Sequence, residues 1–249
     1  MYAKLKKKFG QNFLIDKNIL EKIFKLIEQN NLNILEIGPG NGNLTEYIIN
    51  SNPKYLTLIE VDSELIENLK KRFHNISNIK IINDDFLKNN KILDEKFDLV
   101  VSNLPYNISS QVLIKLSISY FKPKKMILMF QKEFADRLLD KNLNSLNSII
   151  KCFYKIKKRF EVSNNSFYPI PKVRSSILEF TILDHFLINN EEINDFILFK
   201  RLIFNKKRKK LGSILKSRYN INISNEILDK RAETLSLKKF VEVFYNINF

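Results

Sequence analysis

The chain has 249 residues, room for one large domain or for one domain and a small appendage, and its 44% hydrophobic content supports a core and excludes wholesale disorder. A single cysteine, Cys152, excludes an internal disulfide framework and a Cys-rich zinc site. Two distant histidines, His74 and His185, leave metal catalysis and Ser-His or Cys-His mechanisms without candidates. Lys and Arg number 42 against 27 acids, a net charge of +15 that points to nucleic acid, with an anionic membrane surface as the competing partner. A bias toward Lys, Asn, Ile and Phe explains some of the lysine, but not the deficit of acids.

The first residues, "MYAKLKKKFGQNFLID", are basic and lack the apolar stretch of a secretory signal. No run approaches 18 uninterrupted apolar residues, so nothing is expected to span a membrane and the chain reads as cytoplasmic. "KNILEKIFKLIEQ" then places Ile19, Ile23, Phe24 and Ile27 on one helical face, the pattern of a docking helix. From residue 34, apolar β-type runs alternate with helical patterns: "NILEIG", "YLTLIEVD", "IKIINDDF", "FDLVVSNLPY" and "KMILMFQ", most of them followed by an amphipathic stretch. That alternation predicts an α/β fold with a parallel, doubly wound sheet covered on both faces. After residue 150, "FYKIKKRFEV" and the Pro-punctuated "FYPIPKVRSSILEFTIL" read as two strands that extend the sheet in antiparallel fashion. From about Glu191 the pattern is helical only, which predicts a first domain over 1–185 and a small all-α domain over 186–249.

Two loops carry chemistry. In "ILEIGPGNGNL", Gly38, Gly40 and Gly42 lie between a strand and a helix, where glycine permits positive φ and close approach of the backbone to a ligand. Nicotinamide and flavin enzymes use a similar turn. Here Glu36 would sit badly beside a pyrophosphate, and Pro39 removes a backbone donor; both suit a ligand with an amino-acid moiety and a positive centre. Glu60 ends the second strand where a carboxylate can accept both hydroxyls of a ribose. Asp85 follows the third strand at the same rim, placed to accept from the exocyclic amine of an adenine. Each acid alone is compatible with a loop-capping role; together they point to S-adenosylmethionine.

"SNLPYNIS" ends the fourth strand in an amide, a rigid ring and an aromatic with a polar tip. The lone pair of an adenine N6 amine is delocalised into the ring. Acceptors at the Asn103 side chain and the Leu104 carbonyl, the latter fixed by Pro105, would localise it. Tyr106 offers a stacking face for the base. Catalysis of this type is orientation and electrostatics, and needs no base of special pKa.

"KKKFGQNFLID", "EIGPGNGNLT", "IEVD", "NDDFL", "NLPYNISS", "QKEFADRL", "FYPIPKVRSSI" and "FNKKRKKL" occur in an order and spacing that resemble the rRNA adenine N6,N6-dimethyltransferases over nearly the whole chain. The resemblance implies a Rossmann-like class I methyltransferase sheet, a helical C-terminal domain and S-adenosylmethionine as cofactor. It implies dimethylation of two adjacent adenines near the 3′ end of 16S rRNA, within a small-subunit assembly intermediate, by a monomer. It also implies that Asn12 and Leu14 close over the cofactor, Gly38 lies under its methionine part, Glu60 holds the ribose, Asp85 holds the adenine, Asn103 serves cofactor and target, and Tyr106 stacks on the target. "FGQNFL" and "NLPY" favour the small-subunit branch over the macrolide-resistance enzymes, which act on large-subunit rRNA. Departures occur at "VSNNS", where the family has prolines, and at Arg174, where it has an acid. Lys207, Arg208 and Lys210 of "KKRKK" are expected to open a helix with a basic, RNA-binding face. A non-catalytic ribosome-assembly factor and a DNA adenine methyltransferase are the alternatives of other classes; the latter usually has a proline where this chain has Leu104.

Overall fold

The computed structural model describes residues 11–206, 208–216, 218–219 and 222–247; Lys207 of the basic run and the Phe9-Gly10 part of "FGQNFL" lie outside them. Strand β1 (Phe13–Leu14) and helix α1 (Lys17–Phe24) precede four strand–helix alternations. These are β2 (Asn33–Ile37) with α2 (Asn43–Ile49), β3 (Tyr55–Glu60) with α3 (Ser63–Arg72), then β4 (Ile79–Asn83), β5 (Leu99–Asn103) with α4 (Ser109–Ile118), and β6 (Lys125–Gln131) with α5 (Lys132–Leu139). A short α6 (Asn147–Ile150), then β7 (Tyr154–Val162), β8 (Phe167–Tyr168) and β9 (Ser175–Ile182) follow. The last elements are α7 (Ile193–Phe204), α8 (Leu211–Leu215), α9 (Asn225–Leu228) and α10 (Leu237–Tyr245).

The seven-stranded sheet has the order β4-β3-β2-β5-β6-β9-β7. Strands β2 to β6 pair in parallel, and β9 joins β6 in antiparallel register, Met129 opposite Ile177. Ile34, Leu35, Leu56, Leu58, Val100, Val101, Met126 and Leu128 are buried, as strands with both faces covered require. The chain leaves β2 first toward β3 and later toward β5, so the sheet's switch point lies at the carboxyl end of β2, where ligands bind in such folds.

Two compact units form, and no single cut in the chain separates them. The first comprises residues 1–135 and 157–182; the second comprises 136–156 and 183–249. Residues 136–156, which sequence patterning groups with the sheet, thus belong with the C-terminal helices. Within the second unit the Asn147 amide donates to the Asp140 and Asn142 carbonyls, and the Lys200 ammonium donates to the Ser145 carbonyl at 2.8 Å. Phe196, Phe199, Phe240 and Phe244 form its aromatic core.

The basic run does not open a helix. Helix α7 stops at Phe204, α8 starts at Leu211, and Lys206 and Arg208 to Lys210 lie in the connection, with Lys210 extended at ψ 151°. Consecutive cations repel one another and have no acids at i±4 to offset them, and they are favourable after a helix C-terminus but not at an N-terminus.

Candidate functional site

A cleft opens at the carboxyl ends of β2, β3, β4 and β5. Its lining includes Asn12, Leu14, Gly38, Glu60, Asp85, Asn103, Leu104, Pro105 and Tyr106, every cofactor or target residue named from the sequence. The glycine turn is built as its composition demands: Gly38 and Gly40 have φ of +64° and +59°, where an L side chain is strained. A Cβ at Gly40 would also lie 2.8 Å from the Phe13 ring, so the glycine lets β1 pack on the loop.

The carboxylates hold the turn together. The Gly40 N–H donates to Glu60 Oε2 at 3.2 Å, and the Val61 and Asp62 N–H groups donate to Oε1 at 2.9 and 3.0 Å. Burial raises the Glu60 pKa against the pull of those three donors, with the Asp62 charge adding to the rise. Glu36 lies fully inside, where burial pushes its carboxyl up to about 8; the Thr45 hydroxyl, donating to Oε2 at 2.7 Å, opposes the rise and the charge of Glu60 adds to it. Asp85 accepts from the Leu87 N–H at 2.9 Å. The loop that carries Asp85 closes around the Lys115 ammonium, which donates to the carbonyls of Phe86, Leu87 and Asn89 at 2.8 to 3.0 Å.

The residues around Asn12 form a strap across the rim. Gln11 donates to the Asp62 carboxylate at 3.2 Å, the Asn103 amide donates to the Asn12 carbonyl at 2.9 Å, and the Asn43 amide donates to the Leu14 carbonyl at 2.9 Å. Strand β1 pairs with β8, Phe13 opposite Tyr168, which brings the "FYPIPKV" segment alongside. Tyr106 is half-buried, and its hydroxyl lies 2.7 Å from the buried Ser175 Oγ on β9, so the ring is anchored from its far end. Burial raises the Tyr106 pKa, and the bond to Ser175 opposes the rise. Sequence reasoning missed Gln11, Asn43, Lys115 and Ser175. Gln11, Asn43 and Ser175 stood inside the quoted motifs; Lys115 carried no signal beyond being a lysine on an apolar helix.

The lining tests the cofactor. It contains four carboxylates, those of Glu36, Glu60, Asp84 and Asp85, and no Lys or Arg among the described residues. With Glu36 pushed up to about 8, and so mostly protonated at neutral pH, a pyrophosphate would still meet the remaining carboxylates and no cation in the described lining, whereas a sulfonium and an ammonium meet complementary charge. The Asn41 amide nitrogen, also at the lining, is buried without a hydrogen-bond partner, a donor left for a ligand acceptor. The residues fit S-adenosylmethionine. No group of three or more His, Cys, Asp or Glu among the described residues is placed to hold a metal ion.

Comparisons with known proteins agree with this geometry. A family model described as ribosomal RNA adenine dimethylase matches residues 2–247. A protein of Pelagibacter ubique named ribosomal RNA small subunit methyltransferase A is 41% identical, over 96% of this chain and 92% of its own. One of the same name from Mycoplasma mobile is 35% identical over the full length of both. Among solved structures, a dimethyladenosine transferase from Plasmodium falciparum matches with a TM-score of 0.80 at 29% identity, covering 95% of this chain and all of that one. The 23S rRNA methyltransferase ErmE matches in fold, with a TM-score of 0.74 at 20% identity and the same coverage.

Proposed function

The chain belongs to the ribosomal RNA adenine dimethylase family, and on that premise we infer how its own residues perform the reaction. The protein is an S-adenosylmethionine-dependent rRNA adenine N6,N6-dimethyltransferase of the small-subunit type, acting on two adjacent adenines near the 3′ end of 16S rRNA. The observation that carries the residue assignment is the meeting of an acidic cleft, with no Lys or Arg among its described lining residues, and the Asn103–Tyr106 turn at one rim.

When bound, S-adenosylmethionine supplies an electrophilic sulfonium methyl. Glu60 accepts from the ribose hydroxyls, Asp85 accepts from the adenine amine, Gly38 leaves space for the methionine part, and Asn12 and Leu14 cover it. At the acceptor end, the Asn103 Oδ1 and the Leu104 carbonyl accept from the two N–H groups of the target N6 amine and localise its lone pair. Pro105 fixes the turn, and Tyr106 stacks on the extruded base. The amine loses its proton only after it has become cationic, so no side chain acts as a strong base. Arg208 and Lys210, with Lys207 outside the described residues, contact phosphates. The protein works as a monomer in the cytoplasm on a small-subunit assembly intermediate; the net charge of +15 supports a large anionic partner. No helix among the described residues is long and apolar enough to cross a membrane.

The test is mass spectrometry of nucleosides from 16S rRNA, free and in assembly particles, after incubation with the protein and labelled cofactor. N6,N6-dimethyladenosine is expected. A protein that binds the particle and transfers no label would be an assembly factor.

A further inference from the structure

Helix α1 and the outer strand β7 carry a basic depression that the cleft does not use. Lys22, Lys25, Lys157, Lys158 and Arg159 line it together with Leu26 and Phe160. Lys22 is exposed in the last turn of α1 and Lys25 is exposed at its C-cap, three residues on, and Lys157 and Arg159 stand two apart on one face of the strand. Of the acids near it, Glu161 is engaged with Lys132 and Lys158 at 2.6 Å each, Glu179 with Lys125 and Arg159 at 3.2 and 3.6 Å, and Glu28 with Lys125 at 3.6 Å, while Glu21 stands exposed one turn before Lys25. Among the described residues, no ion pair neutralises Lys22, Lys25 or Lys157.

Cations on an edge strand also discourage pairing with another chain. That role does not account for Lys22 and Lys25, which lie in the last turn and at the C-cap of a helix. Phe160 packs one side against the hydrophobic core and keeps part of its ring accessible, with the Lys22 ammonium 5.9 Å from its centroid. A partly accessible ring among unneutralised cations is an arrangement that can bind unpaired nucleotides, with phosphates on the cations and a base against the ring. The position suits this: α1 begins three residues after Leu14 of the strap and is about 12 Å long at 1.5 Å per residue. A strand leaving the cleft needs only a few nucleotides to reach Lys22 and Lys25.

We propose that the depression between α1 and β7 is a second RNA-binding site, which takes the sugar–phosphate backbone of unpaired rRNA beside the target and stacks one base on Phe160. The proposal rests on the reading of the substrate as RNA. It assigns these residues to substrate capture, with no part in methyl transfer.

The test uses the full chain with Lys22→Glu, Lys25→Glu and Lys157→Glu combined, beside the three Lys→Arg changes. Binding of a 16S rRNA 3′ fragment is followed by fluorescence anisotropy from 50 to 200 mM salt. The slope of log affinity against log salt should fall by roughly 2 to 3, at 0.7–0.9 per lost phosphate contact. The KM for RNA should rise, while kcat at saturating RNA and the cofactor Kd stay unchanged, and the Arg variant should behave as wild type. Lys22→Gln with Lys25→Gln adds no acids to the fold and should lower the slope by about 1 to 2. An unchanged slope in both variants, or loss of binding to phosphatidylserine vesicles with RNA binding intact, overturns the proposal. Dimethylation by the wild-type protein in the same assay tests the RNA-methylation reading separately.

Discussion

Replacing Tyr106 separates the ring from its hydroxyl. The ring is proposed to stack on the extruded adenine, worth about 1–3 kcal/mol, or roughly five- to a hundredfold in rate. The hydroxyl has a different task, anchoring the ring to Ser175 Oγ at 2.7 Å. That neutral bond contributes about 1 kcal/mol, but Ser175 is fully buried, so removing the hydroxyl alone leaves Oγ without its partner. Tyr106→Phe should therefore lose about fivefold, and Tyr106→Phe with Ser175→Ala should recover part of that, because both ends of the bond are then apolar. Tyr106→Ala should lose the stacking contribution as well. The assay is single-turnover transfer of labelled methyl to 16S rRNA, with cofactor affinity measured by calorimetry and expected to stay unchanged. Equal losses for Phe and Ala would place the effect in the hydroxyl and refute the stacking argument. A full rate for Tyr106→Ala would remove the residue from the acceptor site.

Glu60→Ala should weaken cofactor binding by about 1.5–3 kcal/mol, the contribution of a charged hydrogen-bond partner, and should lower Tm because the Gly40, Val61 and Asp62 N–H groups lose their acceptor. Calorimetry showing an unchanged Kd would take it out of the site. Glu36 has a folded pKa of about 8 against an ordinary 4.5, so the stability it contributes is whole below 4.5 and is lost as pH rises toward 8, by about 1.4 kcal/mol per pH unit in mid-window. Glu36→Gln should therefore gain Tm relative to wild type between pH 5 and 8; parallel curves would contradict the assignment. Reversing Lys207, Arg208 and Lys210 to Glu should weaken rRNA binding and flatten its salt dependence by about 0.7–0.9 per lost phosphate contact, with cofactor affinity unmoved. An unchanged slope would put the footprint elsewhere.

The parallel sheet and its cleft were legible because local signals coincide there. Buried apolar runs mark the strands, and the glycine turn, Glu60, Asp85 and Asn103 each stand at or just past a strand's carboxyl end. What escaped sequence reading depends on partners far along the chain. Strand β1 is two residues long and owes its conformation to Phe167 and Tyr168, more than 150 positions later. Glu60 reads as a ribose acceptor, yet its three backbone donors make it equally the clamp of the glycine loop. The basic run looked helical because apolar spacing on either side is helical, and charge repulsion within it decided otherwise. The place of residues 136–156 was hidden because their hydrogen bonds and packing, not a change in composition, group them with the C-terminal helices.

The choice of Asn at position 103 follows from this network. An amide has a donor end and an acceptor end. Here the donor end is committed to the Asn12 carbonyl at 2.9 Å, which fixes the strap and leaves Oδ1 free for the acceptor role proposed toward a target amine. An Asp would have only acceptors, so it would face the Asn12 carbonyl with a lone pair and add another carboxylate to a lining already rich in acidic side chains. That added charge would attract the sulfonium more strongly in the ground state, while methyl transfer removes the positive charge from sulfur and places it on the amine. A Ser could satisfy the carbonyl but is too short to reach a base as well. On the proposed mechanism, a neutral side chain with separate donor and acceptor ends ties the residues over the cofactor to the target's amine, and the two halves of the site meet at that residue.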